Sequence, residues 1–126
     1  MSILVEELSG PYGKLGILLL NRPQNINALD LGMCQTSLQA LSKWKSDPNI
    51  KCIFLHGNGE KGFCAGGDVK TLRQNVRSSG LDYAIDFFAH EYGNDLCIAT
   101  YPKPFVAWGS GITMGGGIGL FQGASH

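Results

Sequence analysis

The glycines are the first residues whose spacing points to chemistry. Glycine makes up 18 of the 126 residues, about twice the ordinary share of roughly 7%. Twelve of them lie in two stretches, Gly57 to Gly67 (GNGEKGFCAGG) and Gly109 to Gly123 (GSGITMGGGIGLFQG). Adjacent glycines such as Gly115 to Gly117 give up side-chain packing and lose the most backbone freedom on folding. A folded chain keeps them where something must come close to the main chain. A Gly-rich turn that opens a helix also presents peptide N–H groups without intrahelical partners. Such groups stabilise an oxygen that gains negative charge, each donor accounting for roughly 2.7–4 kcal/mol of transition-state stabilisation. The bland alternative is that the glycines only permit tight helix–sheet packing.

Other chemistries fit the same residues less well. Gly57, Gly59 and Gly62 satisfy G-x-G-x-x-G, but a dinucleotide fingerprint opens a helix at its third glycine, and here FCAGG follows. A phosphate-binding P-loop needs Lys where Phe63 stands. Ser110, in WGSGI, lacks the glycine two residues before it that a nucleophile elbow requires, Trp108 standing there instead. Cys64 adjoins a Gly loop, but no base is assigned to activate it. The cysteines at 34, 52, 64 and 97 form no C-x-x-C pair or zinc spacing, so reduced structural thiols are expected.

The elements that must position these loops follow from pattern. Residues 3 to 7 and 15 to 20 read as strands joined by SGPYG, hence a hairpin. Leu31, Cys34, Leu38, Leu41 and Trp44 recur at helical steps, with Asn27 or Asp30 as cap and SDPN as stop. KCIFL at 51 to 55 is a strand; the first Gly loop and a polar helix, DVKTLRQNV, come next. A longer helix spans about 81 to 99, with Leu81, Ile85, Phe88, Tyr92, Leu96 and Ala99 on one face. KPFVAWG is a second buried strand, and GITMGGG leads from it into a helix. Strands alternating with helices predict an α/β class with a largely parallel sheet. Both Gly loops follow a strand and precede a helix, which places them at the end of the sheet where α/β ligands bind.

Composition bounds the function classes. A formal net charge of zero and 44% hydrophobic residues predict a globular chain with no nucleic-acid-binding arm. The apolar runs fall short of the roughly 20 residues of a membrane span. The first 22 residues lack a signal-peptide pattern, so a cytoplasmic location is expected.

With these features laid out, FCAGGDVK at 63 to 70, GITMGGGIGL at 111 to 120 and LNRPQNINALD at 20 to 30 resemble the crotonase (enoyl-CoA hydratase/isomerase) superfamily. Within it they resemble the 3-hydroxyisobutyryl-CoA hydrolase branch, along essentially the whole chain. The resemblance implies a crotonase-like β-β-α spiral fold, with residues 1 to 126 as the N-terminal part of a single domain. It implies hydrolysis of an acyl-CoA thioester in valine catabolism, with coenzyme A as part of the substrate, no separate cofactor or metal, and a homo-oligomer. The motifs assign the two oxyanion-holding amides to Gly67 and Gly116. They place Ala65, Asp68 and Val69 near the adenine, Lys70 within reach of a phosphate, and NINAL on the border of the same pocket. Glu91 matches a substrate-contacting glutamate; taken by itself it is equally a solvated helix carboxylate. Asp68 taken by itself is a helix N-cap. His56, His90 and His126 match nothing catalytic.

Many hydratases of the superfamily carry a glutamate two residues after the triple glycine, where this chain has Gly119. That departure agrees with the hydrolase branch. The branch takes its main catalytic glutamate and an aspartate from a segment beyond His126, so the chain alone is expected to be inactive. The apolar faces of the helices at 30 to 46 and 81 to 99 are expected to be partly exposed. Two alternatives stay open: an enoyl-CoA hydratase or isomerase, and a truncated, non-catalytic fragment that binds CoA or self-associates.

Overall fold

A computed structural model describes all 126 residues, Met1–His126. Strands β1 (Ile3–Gly10) and β2 (Gly13–Leu20) form the expected antiparallel hairpin, in register from Ile3 opposite Leu20 to Gly10 opposite Gly13. Strand β3 (Ile50–Gly57) lies parallel to β2, and β5 (Phe105–Trp108) lies parallel to β3. The sheet order is thus β1-β2-β3-β5, a mixed α/β architecture with parallel strands joined through helices.

Helix α1 (Leu31–Ser46) crosses from β2 to β3 and starts at Asp30, whose carboxylate accepts from the Met33 N–H at 2.8 Å. Met33, Cys34, Leu41 and Trp44 of α1 are buried with Leu18, Leu20, Ile53 and Leu55 of the sheet, which forms the core. The expected partial exposure of the apolar face of α1 holds in part: Cys34, Leu41 and Trp44 are buried, while Leu31 and Leu38 stay half-buried.

Helices α2 (Val69–Ser79) and α3 (Leu81–Ala99) make the second crossover. On α3 the apolar stripe read from periodicity faces outward, with Leu81, Ile85, Tyr92 and Leu96 each 63–71% exposed. Phe87, Glu91, Asn94 and Ile98 turn inward instead. Asn94 donates to the Cys34 carbonyl at 2.8 Å and the His90 carbonyl at 2.9 Å, which ties α3 to α1. Gly93 has no such reason to be glycine: a Cβ there meets only Leu38 Cδ2, at 3.7 Å. Gly93→Ala is expected to stabilise the fold by about 0.5–1 kcal/mol in urea unfolding, because it removes a mid-helix glycine without a clash.

Three features escaped the sequence reading. Gly62–Cys64 (β4) and Ile112–Thr113 (β6) pair in parallel as a small second sheet inside the two Gly loops. Strand β5, read as buried, has Phe105 fully buried but Trp108 64% exposed. The main chain of His126 donates to the Phe105 carbonyl at 3.0 Å and accepts from the Ala107 N–H at 2.9 Å, so it lies along the free side of β5. Helix α4 (Gly116–Gln122) closes the second loop.

Candidate functional site

The two Gly loops meet at the C-terminal ends of β3 and β5. They are held by the polar segment before α1. Asn27 is fully buried and adopts the left-handed conformation at φ 53°, which Asn tolerates better than most residues. Its amide donates to the carbonyls of Asn58 (2.9 Å), Gly62 (3.3 Å) and Phe63 (3.0 Å), and its oxygen accepts from the Arg22 N–H at 2.8 Å. One side chain thus ties the entry to α1 to the first Gly loop from Asn58 to Phe63. Main-chain bonds continue the join: Ala65 N–H to Ile26 O (2.8 Å), Leu29 N–H to Gly66 O (2.8 Å) and Asp68 N–H to Leu29 O (2.7 Å).

The second loop is built on the first. Met114 N–H donates to Cys64 O at 3.1 Å, and Gly117 N–H to Met114 O at 2.9 Å. Each member of the triple glycine has its own cause. Gly115 sits at φ 56°, ψ −127°, a conformation side chains rarely adopt. A Cβ at Gly117 would overlap Cys64 O, and one at Gly116 would overlap Glu91 Oε1.

Two of the amides left free at this junction lie close together. The Gly67 N–H lies between the Leu29 contacts of its neighbours and donates to no protein group, and neither does the Gly116 N–H at the start of α4. They face a common space, since a Cβ built on Gly116 would lie 3.6 Å from the Gly67 nitrogen. Glu91 closes that space from α3. It is 7% exposed, and among the side-chain bonds and ion pairs of the fold it makes none. Burial, and then the charge of Asp95, push its carboxyl above the ordinary glutamate range. An open cleft of about 440 Å³ runs between Glu91 and Asp95 of α3 and the start of α4. Two unpaired N–H donors beside a buried carboxyl suit an oxygen acceptor whose charge grows during reaction.

The other anticipated residues divide. Asp68 caps α2: Oδ1 accepts from the Thr71 N–H at 3.0 Å, and Oδ2 accepts from the Thr71 hydroxyl and Arg22 Nη2, both at 2.9 Å. Ala65 is half-buried behind its bond to Ile26, while Val69 and Lys70 stand exposed on the first turn of α2. Burial raises the Asp68 carboxyl, but the bonds from Thr71 and Arg22 outweigh it and hold the group below the ordinary aspartate range. Its contribution is therefore complete above the unfolded aspartate pKa and disappears as pH falls through the lowered folded value. Asp68→Asn is expected to cost about 1 kcal/mol near neutral pH and progressively less towards about pH 3, measured by urea unfolding at several pH values.

Cys64 is no nucleophile here. Burial pushes its thiol up to about 11, and Sγ donates to the Asn27 carbonyl at 3.2 Å. The G-x-G-x-x-G at 57 to 62 runs from the end of β3 into β4, a strand and not a helix. Sequence reasoning missed Arg22, the bonding role of Asn27, and Asp95. Their signals are polar residues inside a loop or on the supposedly solvated side of a helix, which periodicity assigns to water.

A family model described as enoyl-CoA hydratase/isomerase matches residues 15–126. The chain belongs to the enoyl-CoA hydratase/isomerase family. It is 43% identical over 115 residues to the mitochondrial 3-hydroxyisobutyryl-CoA hydrolase of Danio rerio, a match covering 91% of this chain and 30% of that protein. Among solved structures, an enoyl-CoA hydratase from Rhodobacter sphaeroides 2.4.1 superposes with a TM-score of 0.89 at 35% identity, covering 100% of this chain and 36% of that one. A carnitinyl-CoA dehydratase from Mycobacterium thermoresistibile superposes at 0.87 and 38% identity, covering 98% and 35%. The fold is thus the crotonase fold of this family, and the chain spans about a third of the length of these relatives. No helix is long and apolar enough to cross a membrane.

Proposed function

We propose that these residues form the thioester-binding part of an acyl-CoA hydrolase of the 3-hydroxyisobutyryl-CoA type, as the N-terminal portion of a single crotonase-like domain. The observation that carries this reading is the convergence of the unpaired Gly67 and Gly116 amides beside the buried, unpartnered Glu91. The thioester oxygen lies against the two amides. As water adds to the carbonyl carbon, the π electrons move onto that oxygen, and the two N–H groups hold the developing charge. Collapse of the tetrahedral intermediate expels the coenzyme A thiolate. Glu91 positions the acyl group, and the groups that direct water come from sequence beyond residue 126, so the short chain binds without turning over. Coenzyme A enters as part of the substrate, and the outward stripe of α3 supports a homo-oligomer.

The similarity to the Danio rerio hydrolase and the absence of a glutamate at Gly119 favour hydrolysis over hydration. The superposition on an enoyl-CoA hydratase favours the second reading, since the same two amides would stabilise an enolate. Incubating the full-length gene product with 3-hydroxyisobutyryl-CoA and titrating free thiol separates them. Thiol release matching thioester loss is the expected result. Hydration of crotonyl-CoA with no thiol release overturns the hydrolase reading.

A further inference from the structure

Gly119 and Asp95 together carry a consequence for the acyl group. Asp95 lies one helical turn beyond Glu91 on α3, so both carboxyls project from the same face. Its carboxylate covers Gly119: a Cβ there would stand 2.6 Å from Oδ2 and 2.9 Å from both Cγ and Oδ1. The space that a side chain at position 119 would fill is thus occupied by a carboxylate from the neighbouring helix. Asp95 Oδ1 is shielded from solvent without a hydrogen-bond partner, and no cation pairs with it among the ion pairs of the fold. Glu91, more than nine-tenths buried and also unpartnered, aims into the same cleft. Unpaired buried carboxyls are costly, and a ligand that donates to them relieves that cost.

Resting on the acyl-CoA reading above, we propose that Asp95 is the specificity-determining residue of the acyl pocket and accepts a hydrogen bond from a hydroxyl on the acyl chain. Position 119 lies three residues along α4 from Gly116, a rise of about 4.5 Å. That is comparable with the separation of a thioester oxygen from a hydroxyl on the third carbon of the same chain. An acyl chain without that hydroxyl leaves the carboxylate unsatisfied and is disfavoured, as happens when a polar pocket receives an analogue lacking its hydroxyl.

The test is the ratio of kcat/KM, read as free-thiol release, for 3-hydroxyisobutyryl-CoA over isobutyryl-CoA, which differ only in the hydroxyl, in the full-length protein and its Asp95→Ala and Asp95→Asn variants. The wild type is expected to prefer the hydroxyacyl ester. Asp95→Ala is expected to lose about 10- to 100-fold of that preference, the range for a hydrogen bond to a charged acceptor. Asp95→Asn, whose amide oxygen still accepts, loses less. Both variants are expected to melt no lower than wild type, because no native bond is removed; if Asp95→Ala does not fold, the ratio in Asp95→Asn decides. An unchanged ratio in the folded variants, or equal wild-type kcat/KM for the two esters, overturns the role of Asp95 and leaves the thioester reading standing. Failure of the wild type to release thiol from either ester overturns both.

Discussion

Gly116→Ala is expected to lower kcat/KM for thioester hydrolysis by the full-length protein about 10²- to 10³-fold, as much as loss of one oxyanion donor, because the new side chain keeps the oxygen from reaching the amide. The new Cβ would overlap Glu91 Oε1 and stand 3.6 Å from the Gly67 nitrogen. It therefore enters the space the thioester oxygen needs and pushes Glu91 off its position, although the amide itself remains. The substitution does not strain the main chain, since Gly116 is not among the glycines with positive φ. The loss of activity is expected with the thermal midpoint nearly unchanged. Wild-type kcat/KM in this variant would mean that the oxygen does not sit between the two amides.

Asn27→Asp is expected to have the largest effect on stability. The change keeps the shape of the side chain and its tolerance of positive φ, but it replaces the donor that serves three carbonyls with an oxygen that repels them. Leaving such groups unpaired around a buried charge costs about 3–5 kcal/mol, a large part of the roughly 5–15 kcal/mol that stabilises a typical domain. Asn27→Gly, which relaxes the backbone and leaves the carbonyls unpaired without adding charge, is expected to cost about half as much. Urea unfolding of the three proteins gives the order wild type, glycine, aspartate. An aspartate variant within about 1 kcal/mol of wild type would show that the loops are held together by something other than this side chain.

The hairpin, the three parallel strands and the spans of α1 and α3 were legible because each has a sustained period bounded by a cap or a turn. Asp30 capping α1 and the start of α3 at Leu81 are such signals. Strands β4 and β6 were not, because three and two residues in Gly-rich sequence carry no period. The expected exposure of the apolar stripe of α3 holds, but what its inward face would carry was not legible: that face holds Glu91 and Asn94. A helix that builds a site buries polar groups, and periodicity counts them as solvent-facing. The same reasoning explains the fate of Gly67 and Gly116. Residue type flagged the loops as places of close approach, but only the fold shows that β3 and β5 bring the two unpaired amides into one space.

If these two amides hold the thioester oxygen, amide NMR of the isotope-labelled 126-residue chain, which binds the ester without hydrolysing it, shows their engagement directly. Adding 3-hydroxyisobutyryl-CoA is expected to move the Gly67 and Gly116 amide protons downfield. The matching CoA thioether, which lacks only the carbonyl oxygen, is expected to leave them in place while perturbing residues along the rest of the cleft. Equal shifts with both ligands, or none with the thioester at saturation, would contradict the account.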